Sequence, residues 1–232
     1  MRGWVEVPAP LTKVSHKSNR MVLNEAAQRL GVSLRQTEDQ LMRDMLASTS
    51  SFINCVNGSN GDNPTEITRA DVDQVVKKLR GNNAYSFLSG VEGENRFGTA
   101  PVRDAYFGLG HTDLIGQLDN VQGFIQKWNY PNQQSTLDSE WGTVANIRFL
   151  LSSVGSFTPN ASALGANVYN TFVQGREATA AIEQDGYSAQ FIYRPPIYDS
   201  PLALNASVGY KFAEVPKILN DQWLFNLRST MA

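Results

Sequence analysis

The sequence predicts an α+β protein, with two helices near its start and most of its strands further along. Three observations support this prediction. Apolar residues recur with helical spacing over residues 21–46, a shorter helical pattern with a capping residue covers residues 68–81, and short apolar runs separated by turn-forming residues follow. With 232 residues, 41% of them hydrophobic, the chain has enough apolar material for a buried core.

The longest predicted element is an amphipathic helix over residues 21–46. Its apolar residues recur three and four positions apart, which places them on one helix face. They are Leu23, Ala26, Ala27, Leu30, Leu34, Leu41, Met42, Met45 and Leu46. Gly31 lies inside the pattern and predicts a weak point or a bend. The run of turn-forming residues at 57–64 then predicts a surface loop.

A second helix is predicted to begin at Thr68. The Thr68 hydroxyl can cap the first free amides, and Asp71 stands three residues later, where the reciprocal acid of a capping box belongs. The apolar pattern continues to Leu79. Gly81 is predicted to end the helix as its C-terminal glycine.

The strand candidates are short apolar runs bounded by Gly, Pro, Asn and Asp. They cover residues 105–109, 147–151, 168–173, 189–193 and 206–212, and near alternation over 218–228 predicts a terminal strand. After the first of them, His111 and Asp113 are predicted to start a short helix. Residues 85–103 are glycine-rich and polar, which predicts an extended loop or a short ribbon.

Composition and charge argue against several classes of function. The formal net charge of -2 leaves no basic excess for a run of phosphates, so nucleic-acid binding is disfavoured as the main function. The single cysteine, Cys55, excludes an intrachain disulfide. No apolar stretch approaches the ~20 residues that cross a bilayer, and the first residues lack a secretory pattern. We therefore expect a soluble, cytoplasmic chain with no membrane partner.

No constellation of residues in the sequence predicts chemistry. The two histidines, His16 and His111, have no partner at metal-ligand spacing. Gly108 and Gly110 resemble a phosphate-binding turn but lack the third glycine and the distant acid. We therefore predict no catalytic residue, no metal site and no cofactor. Two alternatives remain: a small α+β hydrolase or nucleotide-binding enzyme using His111, and a carbohydrate- or cell-binding module suggested by the aromatic residues and the Asn/Gly/Ser-rich loops.

The order of these segments resembles the major capsid proteins of tailed bacteriophages, in the branch of phage N-four and with the shell fold of phage HK-ninety-seven. The resemblance covers nearly the whole chain from residue 21 onward. The matching segments are 22–31 with 38–46 as the family's spine helix, 67–72 as its next helix, 106–114 with His111 and Asp113, Glu140-Trp141-Gly142 leading to Ile147-Arg148-Phe149, 173–178, and the closing run 207–212 with 218–224.

The resemblance implies a structural shell protein and not an enzyme. It implies a peripheral domain of residues 1–63 and 184–216, with the spine helix and long strands, and an axial domain of residues 64–183 and 217–232, with a central sheet flanked by helices. Family members carry an N-terminal arm and an extended loop before the spine helix, where this chain has only residues 1–20. Either the numbering begins inside a longer product, or the contacts of that arm are missing.

The implied partners are further copies of the same chain. Copies would form the hexamers and pentamers of an icosahedral head that encloses double-stranded DNA, in a virion assembled in the host bacterial cytoplasm. Scaffold, portal or cement proteins would be additional partners, and packaged DNA would be contacted only non-specifically.

Two polar segments, residues 82–103 and 193–199, are the predicted subunit contacts. In the second, two aromatic residues and an arginine flank a stiff Pro-Pro pair, a composition enriched in interface hot spots. The candidate contact residues are Arg96, Arg103, Tyr193, Arg194 and Tyr198. The alternative for the second segment is an ordered surface loop that packs on its own domain.

Overall fold

A computed structural model of the chain describes residues 2–7, 16–87, 104–130, 136–183, 189–194 and 206–231. The chain divides into two compact units. The first comprises Met1–Met42 and Ala181–Lys217, and the second comprises Arg43–Ala180 and Ile218–Ala232. Each unit therefore joins two stretches that are far apart in the sequence.

The described residues contain one long α-helix and two shorter ones: α1 His16–Ala47, α2 Arg69–Gly81 and α3 Ile115–Asn120. Short 3-10 turns cover Thr112–Leu114, Lys127–Asn129 and Asp221–Trp223. The predicted long helix, the second helix and the short helix after His111 are thus confirmed. Within the described residues, no helix combines the length and apolar character needed to cross a membrane.

The strands are short, and most lie in the second half of the chain. They are β1 Arg2–Val7, β2 Phe52–Asn54, β3 Tyr106–His111, β4 Ile125–Gln126, β5 Glu140–Val144, β6 Ile147–Ser152, β7 Phe157–Thr158, β8 Val168–Gln174, β9 Thr179–Glu183, β10 Gln190–Arg194, β11 Ala206–Lys211, β12 Glu214–Ile218 and β13 Leu224–Thr230. The strands predicted around residues 105–109, 147–151, 168–173, 189–193 and 206–212 are confirmed.

The first unit packs α1 against a three-stranded antiparallel sheet with the order β1-β11-β10. Leu30 is buried against Val208, Tyr210 and Phe212. Ala26, Leu34 and Leu41 extend the same helix face, three and four residues apart as the sequence pattern requires. Gly31 lies on the exposed side of α1, and the helix continues through it.

The second unit is built on an eight-stranded mixed sheet with the order β2-β13-β8-β3-β6-β5-β4, and β7 pairs with β8. β3 runs parallel to β6 and antiparallel to β8, and β2 runs parallel to β13. Alternate residues of the central strands share one core with α2, α3 and the loops beside them; its members include Ile53, Val72, Val75, Leu79, Leu118, Ile147, Phe149 and Val173. A separate two-stranded sheet pairs β9 with β12, and the division between the units falls within both strands.

α2 ends at Gly81 as predicted, and the left-handed backbone beyond it is at Asn83, with φ 53°, a conformation that asparagine tolerates. Two expectations need correction. Residues 43–63, predicted as part of the first domain, lie in the second unit, because Ile53 and Cys55 belong to its core. The single terminal strand predicted over 218–228 is the end of β12, a 3-10 turn and most of β13.

Asp221 links the last turn of the chain to the segment that follows α1. Its carboxylate accepts hydrogen bonds from Thr49 at 2.5 Å, from Ser51 at 3.3 Å and from the hydroxyl of Ser50. Burial by itself would raise the pKa of Asp221, but these hydrogen bonds stabilise the charged form and hold the pKa below its ordinary value.

This lowered pKa predicts how stability depends on pH. A carboxyl group whose pKa is lower in the folded chain contributes stability above its unfolded pKa of about 4, and that contribution is lost as the pH falls through the lower folded value. We expect Asp221→Asn to lower the free energy of unfolding at pH 7, and the difference from the unsubstituted chain to shrink below about pH 4. Urea unfolding at several pH values measures this, and a difference independent of pH would contradict it.

Candidate functional site

His111 lies at the end of β3, where its side chain caps the turn that follows. His111 Nδ1 accepts a hydrogen bond from the amide of Asp113 at 3.1 Å. The same nitrogen is 3.2 Å from Oδ2 of Asp113, and the hydroxyl of Tyr169 donates to that oxygen at 2.9 Å. Because Nδ1 accepts the amide hydrogen, the neutral ring carries its proton on Nε2, and its contact with the carboxylate is not a hydrogen bond.

The surroundings of His111 fix the ring in place. The rings of Phe157 and Tyr169 lie 5.7 and 5.5 Å from it, centroid to centroid. Gly155 passes so close that a Cβ there would lie 2.7 Å from His111 Cα, so only glycine fits. Burial first, and then the hydrogen bond to Asp113, raises the pKa of Tyr169, which keeps its hydroxyl a donor.

These contacts give His111 a structural role at the start of a turn. A groove of about 470 Å³ lies elsewhere in the second unit, lined by residues that include Pro64, Leu164 and Met231 but not His111. In the described part of the chain, no three His, Cys, Asp or Glu side chains are grouped as a metal site. Burial, with a smaller contribution from Asp71, raises the pKa of Cys55, which favours an inert thiol. The contacts that hold His111 in the turn therefore do not favour the hydrolase alternative.

Glu140 of β5 and Arg148 of β6 form a buried ion pair. Glu140 is 1% exposed and Arg148 is 6% exposed. Arg148 Nε donates to Glu140 Oε1 at 2.9 Å, and its Nη2 donates to the other oxygen, so the pair is bidentate. The Tyr130 hydroxyl and the Leu137 amide donate to the same carboxylate at 3.0 and 3.1 Å. The pair is buried within the sheet and hydrogen-bonded, which indicates a structural role.

The predicted subunit-contact residues fall into two groups. Tyr193 and Arg194 lie on β10, an edge strand of the three-stranded sheet, opposite Val208 and Ser207 of β11. Both are exposed, Tyr193 to 44%. Tyr193 lies at the overlap of the predicted strand and the predicted polar segment, and Arg194, predicted only in the polar segment, is the last residue of the strand. Arg96, Arg103 and Tyr198 lie outside the described residues.

The structure brings together an aromatic surface that the sequence did not predict. We define the β4 edge as Ile125, Trp128, Trp141 and Asp119. The rings of Trp128 and Trp141 are 5.0 Å apart and nearly perpendicular, and Ile125 and Trp128 are each 47% exposed. Trp141 Nε1 and the Gln126 amide both donate to Oδ1 of Asp119, at 2.8 and 3.0 Å.

The opposite edge of the same sheet is also exposed. We define the β2 edge as Phe52 and Arg228. The guanidinium carbon of Arg228 lies 4.1 Å from the centre of the Phe52 ring, a cation–π contact, and Phe52 is 43% exposed. The sequence shows that the chain contains these tryptophans but not that they lie together. Only the strand order places the two surfaces at opposite ends of one sheet.

Comparison with solved structures relates this architecture to viral shells. The chain is similar to a chain in the head of Helicobacter pylori bacteriophage KHP40, with a TM-score of 0.66 and 10% identity over 100% of this chain and 74% of that one. The capsid of Ralstonia phage GP4 gives a TM-score of 0.66 and 13% identity, over 100% and 73%. The chain has the HK-ninety-seven-type capsid fold. At such identities the similarity establishes the fold alone.

The capsid fold is not confined to phages among the similar structures. The SrpI encapsulin of Synechococcus elongatus PCC 7942 gives a TM-score of 0.58 and 12% identity, over 98% of this chain and 72% of that one. No protein-family model and no curated protein sequence matches the chain. The predicted α+β capsid fold is thus confirmed by structural similarity, without support from sequence similarity.

Proposed function

We propose that this chain is the major capsid protein of a tailed bacteriophage, which self-assembles into the shell of the virion. The observation that supports this most directly is similarity over the full length of the chain to chains of phage heads and capsids. A shell subunit performs its function through repeated contacts, each modest, whose number makes the assembly stable. The structural roles of His111 and of the buried pair Glu140–Arg148 agree with such a function.

The finer parts of the proposal follow from the resemblance stated above. The first unit is the peripheral domain with α1 as its spine helix, and the second unit is the axial domain. Copies assemble in the host bacterial cytoplasm into pentamers and hexamers around double-stranded DNA, with scaffold, portal or cement proteins as further partners, and the protein belongs to the phage N-four branch. The net charge of -2 supports only non-specific contact with the packaged DNA.

Particle size tests the proposal. The purified chain, together with any natural upstream region, is examined by negative-stain electron microscopy and sedimentation velocity over a wide range of concentrations. Rings or shells tens of nanometres across are expected. A chain that stays monomeric at every concentration would refute the proposal, and glycan binding by that monomer would favour the carbohydrate-binding alternative.

An encapsulin-type shell is the second candidate, because an encapsulin has a similar fold. The two candidates differ in what the particle contains. Particles recovered from the natural source are treated with nuclease and then opened. Protected double-stranded DNA of uniform length supports the phage shell, and particles without DNA support the encapsulin-type shell.

Arg194 on β10 is proposed as a subunit contact. Its exposure on an edge strand makes it accessible to a second copy. We expect Arg194→Glu to leave folding unchanged and to lower the yield of particles several-fold, because reversing a charge at a contact opposes association. The matched control is Arg35→Glu, an exposed position on α1. Equal particle yields for the two variants would remove Arg194 from the contact.

A further inference from the structure

The two ends of the eight-stranded sheet carry exposed side chains of complementary character. The β4 edge combines apolar and aromatic surface with the carboxylate of Asp119. The β2 edge combines the Phe52 ring with the guanidinium of Arg228. Within the described part of the chain, neither Asp119 nor Arg228 lies in a salt bridge. The Asp119 side chain is exposed and the Arg228 side chain is half-buried, so a partner can reach both charges at the surface.

Hydrogen bonds and a ring contact within one copy of the chain orient the side chains of the β4 edge. Asp119 accepts the indole hydrogen of Trp141 and an amide hydrogen of Gln126 through one oxygen. The perpendicular contact with Trp128 fixes the second indole ring. Rigid aromatic residues lose little conformational entropy on binding, which is why tryptophan is enriched in interface hot spots.

Neither edge is suited to adding a further strand. β4 has only two residues, and β2 has three. The outward amide of Asn54 on β2 already donates to Oδ1 of Asn60 at 2.9 Å, so the loop that follows caps this edge. Short and capped edges resist strand addition. A partner would therefore meet these surfaces through side chains.

We infer that the β4 edge of one copy of this chain binds the β2 edge of the next copy. In that contact Arg228 and Phe52 face Asp119 and the two tryptophans, which joins opposite charges and gives the guanidinium further aromatic surface. The inference rests on the proposed self-association and specifies the surfaces that perform it. Because the two edges differ, the contact is heterologous, and it forms a ring such as a pentamer or hexamer when the rotation between copies closes.

Charge reversal tests the pairing. Asp119→Lys and Arg228→Glu are each expected to raise the concentration at which half of the chains are assembled about tenfold, because each places like charges face to face. The double variant restores opposite charges and is expected to recover most of the assembly. Asp104→Lys, an exposed acid outside both edges, is the control. Single variants that assemble like the unsubstituted chain, or a double variant no better than the singles, would overturn the inference.

Cross-linking tests the same contact without requiring complete shells. The chain carrying both Ile125→Cys and Phe52→Cys is treated with a short bismaleimide, and a ladder of covalent oligomers is expected. Each single variant should cross-link to the other and not to itself. Leu164→Cys, 95% exposed and outside both edges, replaces Phe52→Cys in the control pair. Self-linking of either single variant would indicate a symmetric contact and overturn the inference.

The two experiments separate this inference from the proposed function. Shells that form normally while the cross-linked ladder is absent refute the edge-to-edge contact and leave the capsid function standing. A ladder in a chain that forms neither rings nor shells supports the contact and refutes the capsid function. If neither shells nor a ladder form, both proposals are wrong.

Discussion

Glu140→Gln is expected to lower the free energy of unfolding by about 3–5 kcal/mol, because it removes the carboxylate that pairs with the buried guanidinium of Arg148. Both side chains are almost fully buried, and the guanidinium donates to both carboxylate oxygens. An amide can accept one of these hydrogen bonds but cannot neutralise the charge. Urea or guanidinium unfolding, followed by tryptophan fluorescence, measures the change.

Two comparisons identify the ion pair as the cause. The double variant Glu140→Gln/Arg148→Met removes both charges, so its cost is expected to be well below the sum of the single costs. Glu25→Gln breaks the exposed pair between Glu25 and Arg29, whose side chains are 62% and 80% exposed, and should cost no more than about 0.5 kcal/mol. Additive costs in the double variant would contradict a coupled buried pair.

Tyr130 provides a local measurement for the same substitution. Burial raises the pKa of Tyr130, and the charge and hydrogen bond of Glu140 raise it further. In Glu140→Gln the negative charge is lost, so the pKa of this tyrosine should fall. Ultraviolet titration of the phenolate, taken as the difference between chains with Tyr130 and with Tyr130→Phe, separates this residue from the other tyrosines.

Local patterns in the sequence were sufficient for the elements that depend on local interactions. The spacing of Ala26, Leu30, Leu34 and Leu41 predicted α1 and its buried face, and Thr68 with Asp71 predicted where α2 begins. His111 and Asp113 were predicted to start a short helix, and His111 Nδ1 accepts the Asp113 amide at that start. In each case, the partner that determines the structure lies within a few residues.

Elements that depend on distant partners were missed. β2 is only three residues long and pairs in parallel with β13, from the other end of the chain, so no local period reports it. In β5, a buried position is occupied by the charged Glu140, so the sequence does not show the alternation of apolar and polar residues that predicts a strand. The register of β5 beside β6 is also irregular. The sequence did not predict the β4 edge, because Trp128 and Trp141 are 13 residues apart and only the strand order brings their rings together. The predicted contact residues lie in polar segments instead.

Asp71 caps α2, as the sequence predicts, and also binds the loop at residues 56–58. Its carboxylate accepts the Thr68 amide at 3.0 Å and the Thr68 hydroxyl at 2.5 Å, as a cap for α2. Its other oxygen accepts the amides of Val56 and Gly58 at 3.2 and 2.6 Å. A fully buried carboxylate thus fixes both the start of the helix and the loop before it. Only the first of these roles could be predicted from spacing.

Asp71→Ala is expected to lower the free energy of unfolding by about 3 kcal/mol or more, because it leaves three backbone amides and a hydroxyl without their acceptor. Asp73→Ala is the matched control. Asp73 is exposed on the same helix and pairs with Arg69 at 2.9 Å, so its loss should cost no more than about 0.5 kcal/mol.

Hydrogen exchange distinguishes the loss of these hydrogen bonds from general destabilisation. In Asp71→Ala, the amides of Val56, Gly58 and Thr68 should exchange faster under native conditions, whereas amides in β3 and β8 should change only by the amount of the global destabilisation. If all amides accelerated equally, Asp71 would act on the whole unit and not on this loop. If the three amides kept their protection, water or another group would have replaced the carboxylate, and its assigned role would be wrong.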